Sequence, residues 1–349
     1  MLKDLTRRFL YASGALPLYH RIRNTDTLTV VMFHRTLSAD DPRWATCDPD
    51  YTLPREVFAQ VIGFVHRHYN VVSVEQVLDA RAGHSRLPPR ALLLTFDDGW
   101  ADNVDHALPE LQRAGLPGLM FVVADAVGRR QPFWQEQLIA AWRRGALRVA
   151  ELASALESID GAGGSVRTPA GNEDLASLRK LIALIEDMPR DDRSRLLAPF
   201  AAAMDDGLRH MVDAHELERL RAGGVALGLH GKTHVPMTQA EDLDAELDGA
   251  RASLAASLQA GTPGDSEKPA RTMSFPHGAF DMDIAARARQ AGYELLFTSV
   301  PVLNPTRQGP GWLLGRTGFE TDTVVDRHRR FRGDWLAWYL FRRPTRSLA

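Results

Sequence analysis

Apolar positions fall along this chain in two alternating rhythms. Short runs rich in large aliphatic residues, TLTVVMFH (27–34), NVVS (70–73), ALLLTF (91–96) and GLMFVVA (118–124), read as strands. Between them, FAQVIGFVHRHY (58–69), VEQVLDARAG (74–83) and DHALPELQRAG (105–115) repeat apolar residues at helical spacing, the last two ending in glycine. Strands with no polar alternation are covered on both faces. The pattern therefore predicts parallel strands with covering helices, either an α/β barrel or a doubly wound sheet. From about 133 to 220 the rhythm is helical only, which predicts an insertion carrying a glycine-rich loop, GAGGSVRTPAGN (161–172). Strands resume at GVALGLH (224–230), RTMSFP (271–276), ELLFTS (294–299) and WLLGRT (312–317). Helices fill 241–259 and 281–291, and GTPGDSEKPA (261–270) reads as a loop.

The two ends differ from this body. Leu2, Leu5, Phe9 and Leu10 recur at helical spacing with Lys3, Arg7 and Arg8 between them. The last residues mix Trp335, Trp338, Tyr339 and Phe341 with many arginines. The chain thus divides into a basic amphipathic segment (1–26), a barrel body (27–326, with the insertion at about 129–220) and a basic aromatic segment (327–349). The first segment reads as a terminal helix docked on the body. The last is open between a docked helix and a segment lying on an anionic membrane surface.

Composition narrows the class. The 349 residues are 44% hydrophobic and 25% charged, as in a soluble globular protein. A net charge of −2 offers no basic field for nucleic acid. Cys47 is the only cysteine, which excludes an internal disulfide and a cysteine-rich metal site. No apolar stretch is long enough to span a bilayer. Tyr11, Ser13, Gly14 and Pro17 interrupt what would be the core of a signal peptide. The expected location is cytoplasmic, with peripheral contact on the inner membrane face through the basic ends.

The chemistry gathers at strand ends, where α/β folds build their sites. Asp97 and Asp98 follow ALLLTF, His230 and His234 follow GVALGL, Pro276 and His277 follow RTMSF, and His34 follows TLTVVMF. Adjacent strand residues point to opposite faces, so Asp97 and Asp98 should do different things. In LHGKTH, two imidazoles four residues apart can reach one ion, and Gly231 rules out the helical metalloprotease signature. Two histidines and one carboxylate form a known catalytic zinc set, with Asp98 the natural third ligand.

Together TFDDGWADN, HGKTH and FPHGAFD resemble the polysaccharide deacetylases, the NodB-homology domain of carbohydrate esterase family 4. The resemblance runs from about Thr27 to Thr321 and includes the strand end FHR, LPPRALLLTFDDG, the insertion opening FWQE, and HELERLRAGGVALGLH. It implies a distorted (β/α) barrel of about seven parallel strands with a helical insertion. It also implies metal-dependent removal of N-acetyl groups from an amino sugar of a glycan or its precursor. Carried over by position, Asp97 resembles the general base, and Asp98, His230 and His234 resemble the ligands of a divalent ion, normally Zn²⁺, with Co²⁺ or Ni²⁺ as substitutes. The backbone N–H of His277 takes the oxyanion position. Two departures stand out. The arginine that holds the base in many members is Ser274 here, leaving Arg316 or Arg271 as its replacement. The late histidine acid is missing, which makes His34 the candidate acid and His277 the alternative. Trp100, Trp134, Pro276 and Arg316 are candidate sugar contacts. Competing readings are a catalytically impaired carbohydrate-binding relative and a hydrolase of another C–N bond.

Overall fold

The computed structural model describes residues 2–159, 172–259, 270–318 and 321–349. All but the last residue of each of the two expected loops, 161–172 and 261–270, lies outside the described residues. The chain forms two units, one of residues 1–38, 50–129 and 211–349 and one of 39–49 and 130–210.

In the first unit, seven strands run parallel: β1 (Thr27–Phe33), β2 (Ala91–Phe96), β3 (Gly118–Val122), β4 (Val225–Leu229), β5 (Thr272–Ser274), β6 (Leu295–Thr298) and β7 (Leu313–Gly315). Each pairs with the next in that order. Just past β7 the chain breaks step at Arg316, and Thr317–Gly318 then pairs parallel with β1 at Val31 and Met32. The sheet thereby returns to its first strand. This is the distorted (β/α) barrel, and of the two architectures open from periodicity the closed one is realised.

Period-two alternation explains the packing. Leu28, Val30, Leu93, Leu119, Phe121, Leu295, Phe297 and Leu314 pack together as one buried cluster between the strands. Their sequence neighbours Val31, Leu92, Leu94, Met120 and Leu296 pack in a second cluster with Val57, Val61, Leu111 and Ala288 from the covering helices. Every residue of β2 is buried, as expected of a strand covered on both faces. Asp97 continues the inward set of Leu93 and Thr95 past the strand end.

Close approach is enforced where β7 breaks. A Cβ on Gly315 would lie 2.4 Å from Val302 Cγ2 and 2.6 Å from the Val300 carbonyl oxygen. The buried Asn304 side chain clamps this point. It accepts from Gly315 N at 2.8 Å and donates to the carbonyls of Gly315 and Leu28 at 2.9 and 3.2 Å. The backbone groups freed by the break are thus satisfied by a side chain.

The second unit has its own core, in which Leu138, Leu152, Leu178, Leu181, Ile185 and Leu196 pack together. Within it Arg179 pairs with the buried Asp48.

At the ends of the chain, helices Leu2–Ala12, Ala15–Arg23 and Gly333–Phe341 pack on one another. Phe341 is fully buried and stacks on His20 at 4.0 Å. Trp335 Nε1 and Arg332 Nη2 both donate to Asp4 Oδ1 at 2.8 Å. The C-terminal segment thus contains a helix docked on the N-terminal pair. Two of its aromatic tips find acceptors there, Trp335 Nε1 on Asp4 and Tyr339 OH on the Gly318 carbonyl at 2.7 Å.

Candidate active site

The strand ends at the mouth of the barrel bring Asp97, Asp98, His230 and His234 together. His230 Nε2 lies 3.4 Å from Asp98 Oδ1 and 3.9 Å from Asp97 Oδ2, and His234 Nε2 lies 3.2 Å from Asp98 Oδ1. The two aspartates therefore converge, contrary to simple strand alternation. The cause is backbone geometry: Asp98 has φ 75° and Gly99 φ 81°, so the chain turns at the strand end and re-aims the second carboxylate. At Gly99 a Cβ would also sit 3.3 Å from Val122 Cγ1. His234 and His277 share the left-handed conformation at φ 69° and 55°. Three non-glycine residues held this way at one mouth mark it as a functional site, where such backbone is retained at a cost of about 1–3 kcal/mol each.

Each side chain has a fixed partner. Arg316, fully buried, donates bidentately to Asp97, Nη1 to Oδ1 at 2.6 Å and Nη2 to Oδ2 at 2.8 Å. Its Nε donates to the Thr298 carbonyl at 3.2 Å, and Nη2 also donates to Ser274 Oγ at 2.6 Å. The expected replacement for the usual arginine is thus Arg316, arriving from the strand break on another strand. Arg271 instead pairs with Glu294 at the surface. Arg316 is committed to the carboxylate and is not exposed to a sugar.

Trp100 is placed otherwise than a sugar platform requires. Its indole is buried and Nε1 donates to Asp98 Oδ2 at 2.9 Å, leaving Oδ1 toward the histidines. Arg35 stacks over the indole at 4.3 Å and pairs with the buried Asp102 at 2.8 Å. Pro276 is also buried. Trp134 belongs to the second unit, where Arg193 lies over its ring at 5.4 Å.

His230 Nδ1 donates to the Ser274 carbonyl at 2.9 Å, which leaves Nε2 as the atom facing the carboxylates. The turn between the two histidines is tied to the buried Glu246, whose Oε2 accepts from Lys232 N and Thr233 N at 2.7 and 3.1 Å. Neither Glu246 nor Arg35 and Asp102 stood out in the sequence. Glu246 lies in an ordinary helical pattern, while the FHR strand end was the one signal that included Arg35. His34 is partly exposed beside Tyr51, with ring centroids 5.1 Å apart, and its charge registers on both aspartates. His277 is exposed, 4.6 Å from the His234 ring between centroids.

Electrostatics follow from this arrangement. Burial works to raise the Asp97 carboxyl, but the Arg316 guanidinium outweighs it and holds Asp97 below the usual range, with smaller help from His230 and His34. Burial likewise opposes ionisation of Asp98, and the hydrogen bond and charge of His234 override it. Burial pushes His230 down to about 4, against the pull of both aspartates, so it is neutral near neutral pH. A neutral His230 with its proton on Nδ1 turns a bare Nε2 lone pair toward an ionised Asp98. Two acceptors facing each other at 3.4 Å leave a place suited to a cation. Asp98, His230 and His234 offer three ligand atoms within 4.8 Å of one another, a donor set that fits a divalent ion with positions left open.

Comparisons with known proteins bear on the family and the fold. Residues 84–157 match the family model for polysaccharide deacetylase, a span that includes both aspartates and stops before the histidines. The putative polysaccharide deacetylase YxkH of Bacillus subtilis (strain 168) is 22% identical over 112 residues, which is 32% of this chain and 37% of that protein. The match therefore spans little more than a third of that relative's length. In fold, the Streptococcus pyogenes deacetylase PplD, solved in complex with acetate, superposes with a TM-score of 0.54 at 12% identity, covering 90% of this chain and 99% of that one. IcaB from Ammonifex degensii gives 0.53 at 18% identity over 90% and 97%. The family read from the three motifs, the polysaccharide deacetylases, is the one these comparisons return.

The Asp97–Arg316 pair makes a stability prediction. A carboxyl depressed in the folded state contributes stability that is present above the unfolded value of about 3.9 and is lost as pH falls below it. Arg316→Met strands a buried carboxylate, and urea denaturation near neutral pH should show a loss of about 3–5 kcal/mol. The gap should narrow toward about pH 4, because the stranded carboxyl takes up a proton. A gap that stays constant with pH would show that the pair is not its source.

Proposed function

We propose that this chain is a metal-dependent N-deacetylase that hydrolyses the acetamido group of an amino sugar in a glycan or glycan precursor. The observation that carries the reading is the pairing of two unlike carboxylates at one mouth. Asp98 faces two imidazoles, and Asp97 faces an arginine and is 3.9 Å from His230 Nε2. A divalent ion held by Asp98, His230 and His234, most simply Zn²⁺, would polarise an amide carbonyl and lower the pKa of water from about 15.7 to about 7.

The remaining steps belong to the chain's own side chains. Asp97, kept ionised by Arg316, accepts a proton as water adds to the amide carbon. Arg316 also fixes the direction of Asp97, since both carboxylate oxygens are engaged. The family resemblance assigns the His277 N–H to the developing oxyanion, an interaction worth roughly 3 kcal/mol in such sites. As the C–N bond breaks, His34 delivers a proton to the leaving nitrogen, giving acetate and a free amine. His34 is suited to this because it is partly exposed, whereas His230 is tied to Ser274. The reading as a catalytically impaired relative rested on the missing arginine and the missing late histidine. Arg316 answers the first by supplying a guanidinium to Asp97, and the acid role of His34 is what answers the second.

Acetate release from N-acetylglucosamine oligomers, with Zn²⁺, Co²⁺ or Ni²⁺ added, tests the reaction. Asp97→Asn should cut kcat by about a thousandfold or more. A variant that keeps its full rate would show that the base is another group. His34→Ala should lower kcat by about 10²–10³-fold with KM little changed. An unaltered kcat would remove His34 from the acid role.

A further inference from the structure

The helix pair at the start of the chain carries an apolar face that nothing in the fold covers. Leu5, Phe9, Leu18, Tyr19 and Ile22 are between 42 and 72% exposed. Among the described residues elsewhere, only Tyr51 and Met282 are large hydrophobics left this open. Leu5 and Phe9 stand one helical turn apart, as do Leu18 and Ile22, so each helix presents a stripe. The opposite faces are accounted for. Leu16 and His20 are buried, His20 stacks on Phe341, and Tyr11 hydrogen-bonds His68. The helices are thus fixed to the barrel unit by one side and leave the other to solvent.

The charge around this face has one sign. Residues 1–26 hold five basic residues against two acidic, and residues 327–349, which pack on them, hold seven arginines against one aspartate, while the whole chain carries −2. Of the acidic groups, Asp4 and Asp334 are both paired with Arg332, and Asp26 with Arg307. Arg8, Arg21, Arg23, Arg342 and Arg346 are exposed. Among the described residues, no helix is long and apolar enough to cross a membrane.

We propose that this helix pair is a docking face for an anionic lipid bilayer, lying in the plane of the interface with its leucines, Phe9 and Ile22 among the acyl chains and its arginines at the headgroups. An apolar stripe flanked by cations, on helices already rigid, is the chemistry that binds such a surface. Each exposed arginine near a charged headgroup layer adds about 1 kcal/mol, and the attraction falls off within a Debye length. A protein partner would need acidic groups in the same arrangement; a bilayer supplies them at any orientation. The inference is independent of the chemistry at the barrel mouth.

Co-sedimentation of the full chain with vesicles tests it. The wild-type protein should pellet with vesicles rich in phosphatidylglycerol and stay in solution with pure phosphatidylcholine. Partitioning should weaken at least about tenfold in high salt, and again in the double variant Phe9→Glu, Ile22→Glu. Both sites are exposed, so the variant should keep the wild-type melting temperature and the wild-type rate on a soluble substrate. Equal partitioning of wild type and double variant would overturn the proposal. So would failure of the wild type to bind either vesicle. A concentration-dependent dimer, lost in the double variant without any vesicle binding, would assign the face to a second copy and overturn it as well.

Discussion

The buried bidentate pair between Arg316 and Asp97 is the contact on which the rest of the mouth depends. Burial by itself favours the protonated form of Asp97. A guanidinium with both forks engaged keeps it charged and fixes its plane. Arg316 can do this only because the last strand breaks at that residue, pairing with β6 before it and β1 after it. The break in turn rests on Gly315, which has no room for a Cβ, and on Asn304, which replaces the ladder bonds lost there. Closure of the barrel and seating of Asp97 are one structural event.

Ser274 shows how the site adapts to having its arginine elsewhere. Its hydroxyl receives Arg316 Nη2, and its carbonyl accepts from His230 Nδ1. One small residue thereby couples the support of Asp97 to the orientation of the His230 imidazole. On the other side, Asp102 holds Arg35, Arg35 stacks on Trp100, and Trp100 engages one oxygen of Asp98. Each carboxylate therefore has one cation-backed scaffold. Asp97 meets its cation directly, and Asp98 meets its own through an indole. This difference leaves Asp98 Oδ1 facing the two imidazoles and fixes the direction of Asp97.

Much of this was legible in the residues. Continuous apolar runs at 91–96 and 118–124 identified buried parallel strands because such runs have no solvent face. The three motifs marked the strand ends, and the absence of an arginine at Ser274 directed attention to Arg316 or Arg271, between which the structure selects Arg316. Other features were hidden for physical reasons. That Asp97 and Asp98 converge depends on a positive φ at Asp98, which no residue type announces there. Trp100 suggested a sugar platform, yet its burial is set by Arg35 and Asp102, which come from separate segments. At the ends of the chain, the aromatic C-terminal helix docks where Asp4 accepts from Trp335 and Phe64 stacks on Phe341, and the N-terminal pair docks by one face while its other apolar face stays open. Periodicity reports that a helix has two faces, but not which neighbour claims each.

The central claim is that two adjacent carboxylates are divided between an ion and a proton. Calorimetric titration of Zn²⁺ into Asp97→Asn and Asp98→Asn tests it directly. The account predicts one site per chain in Asp97→Asn with affinity close to wild type, and a loss of about a hundredfold or more in Asp98→Asn. Equal weakening in the two variants, or tight binding retained in Asp98→Asn, would contradict it.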